Sequence, residues 1–114
     1  MKVAYRQAAS DDVARQFRYY LVTRNVPEVA IRFRDAIRLT VQSLRQNPFL
    51  GPHYPLRNPQ LRDLRFWPVA GFEAIGIYYL VDSDAIRVIR ILHGKRDVRD
   101  ILERERLERP ASRS

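Results

Sequence analysis

FEAIGIYYLVDSDAIRVIRILH (residues 72–93) contains two runs rich in β-branched and aromatic residues, joined by Asp82-Ser83-Asp84. Runs of this composition favour strands, and a short polar link between them favours a tight turn. The stretch therefore predicts an antiparallel hairpin in which Phe72–Asp82 pairs with Ala85–His93.

Two further strands are predicted outside this hairpin. LRDLRFWPV (Leu61–Val69) precedes it, and Pro68 marks either the end of that strand or a position at the sheet edge, because proline has no N–H for the ladder. KVAYR (Lys2–Arg6) alternates apolar and polar residues as a short strand does. Together the four strands predict a small antiparallel sheet.

The first predicted helix follows Ser10, which precedes Asp11 and Asp12. Serine is a favourable N-cap, and acids are favourable in the first turn of a helix. Apolar residues continue at helical spacing until the pattern fades near Asn25. This segment therefore predicts a helix with two acids in its first turn.

The second predicted helix begins at Pro27, a residue suited to the first helical position, and ends at Asn47-Pro48. Its connection to the first helix is very short, so the two predict an antiparallel helix hairpin. A third helix is predicted over Asp97–Leu107, with ion pairs along its solvated side, such as Glu105–Arg109.

The predicted order β-α-α-β-β-β-α indicates an α+β fold, with the helix hairpin packed on one face of the sheet and a C-terminal helix. Residues 47–59 are rich in proline but also apolar, so they predict an ordered loop and no domain boundary. We therefore expect one domain over residues 1–114, in which residues 108–114 form a flexible tail.

Composition excludes several classes of function. The chain has no cysteine, and its two histidines, His53 and His93, have no partner at metal-ligand spacing, so we expect no metal site and no cofactor. The N-terminus has no apolar run of a signal peptide and no segment suits a membrane span, which predicts a cytoplasmic protein. The net charge of +8 indicates an acidic partner or nucleic acid.

The strongest concentration of charge follows the last predicted strand. Between Arg87 and Arg99 there are five cations and one acid, a net +4 and half the charge of the chain. Such a cluster suits a phosphodiester or an acidic segment. The residues expected to bind the target are Arg65, Arg87, Arg90, His93, Lys95 and Arg96.

Two residues of this cluster have competing interpretations. Strand alternation places Arg87 and Arg90 on opposite faces, so Arg90 either binds the target or lies at the core edge, paired with a carboxylate such as Asp63 or Asp100. His93 either satisfies backbone groups at the strand end, acts as an acid or base, or contacts a partner.

The chain resembles the RelE/ParE superfamily of toxins from type II toxin–antitoxin pairs. The resemblance rests on the helix hairpin followed by three stretches in order, which are LRQNPFLGP (44–52), LRDLRFWPVAGFEAIGIYYLVD (61–82) and VIRILHGKRDV (88–98). It implies a small α+β toxin that poisons its own cell and is neutralised by a cognate antitoxin.

The superfamily implies two targets. RelE-like members are metal-independent, ribosome-dependent mRNA endonucleases, and here Arg65, Arg90 and His93 would form the phosphate site. ParE-like members inhibit DNA gyrase by contact and have no established bond-cutting residues. RILHGKRD (90–97) resembles the ParE-type ending, and 21 residues follow His93 where RelE-like chains end sooner. We therefore expect a gyrase inhibitor without enzymatic activity; an endonuclease and a non-toxic nucleic-acid-binding module are the alternatives.

The expected antitoxin is acidic, partly disordered before binding and, by the resemblance, of the ParD-like ribbon-helix-helix type. A basic toxin with apolar helix flanks suits such a tail, which folds on binding. It is expected to add a strand to an open sheet edge and to lay a helix along Phe17, Tyr20, Phe33 and Ile37.

Overall fold

A computed structural model describes residues 1–107 of the chain, and the predicted tail, 108–114, lies outside the described residues. The elements follow the predicted order and the α+β fold is confirmed. They are β1 (Lys2–Tyr5), α1 (Gln7–Arg18), a π-helical turn (Tyr19–Thr23), α2 (Pro27–Gln46), a 3₁₀ turn (Pro59–Leu61), β2 (Arg65–Val69), β3 (Phe72–Val81), β4 (Ala85–His93) and α3 (Val98–Glu103).

The sheet has four strands in the order β1-β4-β3-β2, and the predicted hairpin is its centre. β2, β3 and β4 are antiparallel as expected, whereas β1 pairs with β4 in parallel. The prediction of a wholly antiparallel sheet was therefore wrong for β1, because a four-residue strand shows the same side-chain alternation in either direction. Pro68 lies in an edge strand, as predicted.

The first helix begins earlier than the sequence indicates. α1 starts directly after β1, at Gln7, and the N–H of Ser10 donates to the carbonyl of Arg6 at 3.0 Å. Ser10 is therefore inside the helix, and Asp12 lies in its second turn, fully buried. The predicted N-cap at Ser10 was wrong because β1 leads straight into the helix without a loop.

The other helix ends agree more closely with expectation. Pro27 is the first residue of α2, and the helix stops before Asn47. α3 begins after Asp97, whose carboxylate accepts from the N–H of Asp100 at 3.4 Å. It ends at Glu103, earlier than the predicted Leu107. None of the helices within residues 1–107 is both long and apolar enough to cross a membrane.

Both faces of the sheet are covered, so the molecule has two cores. The helix hairpin packs on one face around Phe33 and Tyr79, and the proline-rich loop with α3 packs on the other around Leu61 and Tyr78. Adjacent tyrosines of β3 thus enter opposite cores, as strand geometry requires. The second core explains why the loop is so apolar.

A β-bulge in β4 changes which side chains share a face. Tyr79 pairs with Val88 and Tyr78 pairs with Arg90, which leaves Ile89 as an extra residue. Ile91 therefore joins the hairpin-side core, whereas Ile89 joins the loop-side core. The alternation predicted for β4 was wrong beyond this point, because the bulge inserts one residue into the period of two.

Candidate functional site

Arg90 is held inside the fold rather than presented to a target. Its guanidinium donates from Nε and Nη2 to Asp12 at 2.7 and 2.8 Å, and from Nη1 to Glu105 at 2.5 Å. Its side chain is 13% exposed, and the hydrogen bonds to Asp12 are the main cause of the raised pKa of Arg90. This agrees with the interpretation of Arg90 as a core-edge residue paired with a carboxylate, although its partners are Asp12 and Glu105 rather than Asp63 or Asp100.

The Asp12 carboxylate also completes the edge of the sheet. β1 ends at Tyr5, beyond which the edge of β4 has no strand partner. There the N–H of Ile91 donates to Oδ2 of Asp12 at 2.9 Å, and the side chain of Gln16 donates to the carbonyl of Ile91 at 3.0 Å. Two side chains of α1 therefore satisfy backbone groups that another strand residue would otherwise pair.

Glu105 connects this network to the C-terminal segment. Its carboxylate accepts from Arg90 and, at 2.7 Å, from Arg6, whereas Arg109, its predicted partner, lies outside the described residues. The side-chain amide of Asn58 donates to the carbonyl of Glu105 at 2.8 Å from the loop side. Glu105 is thereby fixed against Arg6, β4 and the loop.

Arg65 is occupied at the opposite edge of the sheet. Its guanidinium donates to the carbonyl of Gly51 at 2.7 Å, lies 3.2 Å from Nε2 of His53, and covers the ring of Phe49 at 4.9 Å. Arg65 pairs with Tyr79 in the sheet register, whereas His93 pairs with Ile75. That separation is about 13 Å along β3 alone.

The nuclease constellation Arg65, Arg90 and His93 is therefore not assembled. Arg65 lies in the edge strand β2, and β3 separates this strand from β4, which contains Arg90. The side chain of Arg90 contacts Asp12 of α1. Sequence proximity of Arg90 to His93 suggested a shared site, but the bulge at Ile89 and the Asp12 pair turn the Arg90 side chain toward α1.

Arg87 is also apart from the end of β4. It pairs with Leu80 in the register, and its Nε lies 3.8 Å from Asp82 at the hairpin turn. Five residues lie between it and His93, and the partners of the two residues, Leu80 and Ile75, are about 17 Å apart along β3. Of the residues expected to bind the target, the structure brings three together, namely His93, Lys95 and Arg96.

These three residues form one wall of an exposed cavity of about 500 Å³, here called the basic groove. Its other wall comes from α1 and the π-helical turn. Four cations face it, and the residues that line it within the described chain include no carboxylate. The lining residues are Arg15, Gln16, Tyr19, Tyr20, Arg24, His93, Lys95 and Arg96.

The π-helical turn shapes the second wall of this groove. The N–H of Arg24 donates to the carbonyl of Tyr19 at 2.9 Å, and Asn25 has a left-handed φ of 53°. This wider turn leaves Tyr19 44% exposed, while Tyr20 packs against Phe33 at a ring distance of 5.5 Å. π-turns within helices are frequent at functional sites.

Sequence reasoning missed this contribution of α1. Arg15, Tyr19 and Arg24 occur at spacings of four and five in RQFRYYLVTR (15–24), which places them on one side of the helix and its π-turn. Within the groove, Nη1 of Arg24 donates to the Tyr19 hydroxyl at 3.5 Å, and this hydrogen bond raises the pKa of Arg24. The helical spacing was the available signal.

His93 has a backbone role at the end of β4. Its Nδ1 accepts from the N–H of Lys95 at 3.1 Å, which leaves the proton of a neutral ring on Nε2. This contact corresponds to the backbone-satisfying interpretation of His93. Among residues 1–107, no cluster of three or more histidine, cysteine, aspartate or glutamate residues suits a metal ion.

A second surface, here called the hairpin groove, runs between α1 and α2. It consists of two adjoining cavities of about 450 and 360 Å³ that share Ser10, Val13 and Arg34. Most of its other lining residues are apolar, with arginines among them. These other lining residues are Tyr5, Ala14, Phe17, Arg18, Leu21, Val22, Ile37 and Arg38.

The four residues expected to bind the antitoxin differ in burial and in the groove that they line. Phe17 lines the hairpin groove, but Tyr20 faces the basic groove instead. Phe33 is fully buried in the hairpin-side core, whereas Ile37, although only 4% exposed, also lines the hairpin groove. An apolar stripe on a helix does not by itself distinguish core from accessible positions.

The two sheet edges differ in accessibility. Beside β2, the N–H of Phe66 donates to Pro52 at 3.1 Å and His53 pairs with Arg65, so the loop occupies much of that edge. In β1, the N–H groups of Lys2 and Arg6 face β4. The backbone groups of Val3 and Tyr5 therefore face outward, because successive residues of a strand alternate.

Comparison with known proteins agrees with this architecture. The family model described as ParE toxin of type II toxin-antitoxin system, parDE, matches residues 3–98. A solved chain of the chromosomal ParDE TA system from P. aeruginosa has a TM-score of 0.65 and 22% identity, covering 82% of this chain and 95% of that one, which shows a shared fold. No curated protein sequence matches significantly. Since the family model spans most of its length, the chain belongs to the ParE toxin family of type II toxin–antitoxin systems.

Proposed function

We propose that this ParE-type toxin inhibits DNA gyrase by contact through the basic groove and is neutralised by a ParD-like antitoxin bound in the hairpin groove. The observation that carries the proposal is the pair of separate grooves on α1. Arg15 and Tyr19 lie on one face of this helix, and Val13 and Phe17 lie on the opposite face. The two grooves share no lining residue, so each suits a different partner.

The basic groove supports a binding inhibitor rather than an endonuclease. Lys95 and Arg96 are exposed cations at its rim, which suit an acidic surface. Phosphodiester cleavage needs an acid or base within hydrogen-bond reach of groups that hold the phosphate. The expected phosphate ligands Arg65 and Arg90 are engaged in separate parts of the fold.

The hairpin groove supports an acidic helical partner. Its apolar floor suits the apolar face of an amphipathic helix, and Arg18, Arg34 and Arg38 suit acids at the rim of that helix. The outward backbone groups of β1 offer an edge where the same partner adds a strand. Both contacts suit an acidic tail that folds when it binds a chain of net charge +8. A toxin that inhibits gyrase and is neutralised by an antitoxin would act in the cytoplasm.

The proposal is tested by gyrase supercoiling in the presence of the purified toxin. We expect the wild type to block supercoiling and the double variant Lys95→Glu/Arg96→Glu to need at least about tenfold more protein, because two reversed charges replace attraction to an acidic surface with like-charge repulsion. Arg32→Glu/Arg62→Glu is the charge-matched control, since both residues are exposed and line neither groove. Normal supercoiling together with codon-specific mRNA cuts would favour the endonuclease instead.

Growth after induction distinguishes the proposed toxin from the remaining alternative, a non-toxic nucleic-acid-binding module. A toxin stops growth, and co-expression of its cognate antitoxin restores growth. A chain that binds nucleic acid without harming the cell would leave growth unchanged, which would contradict the proposed function.

A further inference from the structure

We propose that the basic groove binds a single-stranded segment of nucleic acid, with its cations on the phosphates and Tyr19 against a base. The inference rests on the proposed function in one respect, because the basic groove is also the surface proposed to contact gyrase.

The cations of the groove are available for phosphates. Among residues 1–107, Lys95 and Arg96 form no salt bridge, and Arg24 donates only to the Tyr19 hydroxyl. Arg15 shares Asp12 with Arg90, yet its side chain is 53% exposed. A groove whose described lining includes four cations and no carboxylate favours a polyanion over a neutral ligand.

The aromatic residues favour nucleic acid over an acidic peptide. Tyr19 is 44% exposed beside these cations, and Tyr20 supports its ring edge-to-face at 5.5 Å. The Arg24 guanidinium lies 3.5 Å from the Tyr19 hydroxyl, so a cation is next to the ring on which a base would stack. Exposed aromatic rings interleaved with cations are the arrangement on which successive bases stack, whereas an acidic peptide needs the charges alone.

The shape of the site favours one strand over a duplex. The cations line a recess of about 500 Å³ between the π-helical turn and the end of β4. A duplex is read by an element that projects from the protein into a groove of the nucleic acid. In this protein the cations line a recess, so the nucleic acid would have to enter the protein. An unpaired base can reach the face of Tyr19 there, whereas a base inside a duplex cannot.

The test is fluorescence anisotropy with the full-length toxin and a labelled oligo(dT) of about 12 nucleotides, at about 50 to 200 mM salt. We expect binding that weakens with salt, and at least about tenfold weaker binding for Lys95→Ala/Arg96→Ala. The control Arg32→Ala/Arg62→Ala removes the same charge elsewhere and should change affinity less than about threefold. Circular dichroism verifies the fold of each variant.

Tyr19 provides the second readout. Tyr19→Ala should weaken binding by about tenfold, while Tyr19→Phe keeps a ring for stacking and should remain close to the wild type. Equal losses in both double variants, or the absence of oligonucleotide binding, would overturn the inference. So would competition by polyglutamate or duplex DNA as effective as that by the oligonucleotide. Because this assay contains no gyrase, its failure leaves the supercoiling result intact, and the reverse also holds.

Discussion

Arg90 and Asp12 form a two-point ion pair, at 2.7 and 2.8 Å, between residues that are 78 positions apart in the sequence. The same carboxylate accepts from the N–H of Ile91, so it joins α1 to β4 through both charge and backbone. Asp12 is fully buried and Arg90 nearly so. The most buried charge of the strand therefore connects α1, β4 and the segment around Glu105.

Removal of Asp12 is expected to destabilise the protein strongly. Asp12→Ala leaves the Arg90 guanidinium with Glu105 alone and the N–H of Ile91 without a side-chain acceptor. Breaking a buried ion pair from one side lowers the free energy of unfolding by about 3–5 kcal/mol. Urea denaturation measures this change.

Asp35→Ala is the matched control for Asp12. Its carboxylate is 50% exposed and lies 3.9 Å from both Arg34 and Arg38. Exposed pairs contribute less than about 1 kcal/mol, so this variant should unfold almost as the wild type does. Equal urea midpoints for the two variants would contradict the role assigned to Asp12.

Gly51 is expected to tolerate no side chain. A Cβ at this position would meet the backbone carbonyl of Phe66 and lie 2.8 Å from the Tyr79 hydroxyl, which itself accepts from the N–H of Gly51. Gly51→Ala should therefore lower the free energy of unfolding by about 2 kcal/mol or more. Gly94→Ala, whose Cβ would lie 3.4 Å from its nearest neighbour, should change it by less than about 0.5 kcal/mol. Similar thermal denaturation curves for both would refute this account of the loop.

Alkaline pH is expected to act on the loop-side core through Tyr78. Burial, with a smaller contribution from nearby Tyr54, raises the pKa of Tyr78 from 10.0 to about 12. Between these values the native state keeps a proton that the unfolded state releases, so the free energy of unfolding falls as the pH rises. Tyr78→Phe removes the ionisable group and should lose less stability over this range, measured by urea denaturation at each pH. Parallel pH profiles for the two proteins would exclude Tyr78 as the cause.

Local patterns predicted the elements well because their causes are local. The β3–β4 hairpin follows from strand composition around Asp82-Ser83-Asp84, and the limits of α2 follow from Pro27 and Asn47-Pro48. These signals depend on neighbours in the chain, so they survive without knowledge of the tertiary structure.

The candidate site was harder to predict because it depends on distant contacts. No local feature separates Asp12 from an exposed acid, since its partner is 78 positions away. No feature of the sequence around Ile89 indicates a bulge, yet the bulge changes the face of the sheet on which the following residues of β4 lie. Phe17 in α1 and Phe33 in α2 each belong to the apolar stripe of their own helix, but packing buries Phe33 in the core and leaves Phe17 lining a groove.

His93 is expected to be replaceable without loss of toxicity. Its Nδ1 accepts from the N–H two residues later, and asparagine makes the same type of contact. His93→Asn should therefore inhibit gyrase within about threefold of the wild type, whereas loss of a general acid or base costs about 10²–10⁴ in rate. The supercoiling assay measures this. A loss of inhibition with an intact circular dichroism spectrum would show that the imidazole itself is required.

The hairpin groove predicts that a charge at Leu21 separates neutralisation from toxicity. Leu21 is 40% exposed and lines this groove, so Leu21→Asp places an acid where an acidic antitoxin helix should bury apolar residues. We expect antitoxin affinity to fall by at least about tenfold while gyrase inhibition is kept, because the basic groove lies on the other face of α1. Leu39→Asp is the control, since Leu39 is 67% exposed and lines neither groove. Pull-down of the co-expressed antitoxin and rescue of growth measure the effect. If the antitoxin rescued growth equally well with the Leu21 variant and with the control, the antitoxin would bind elsewhere.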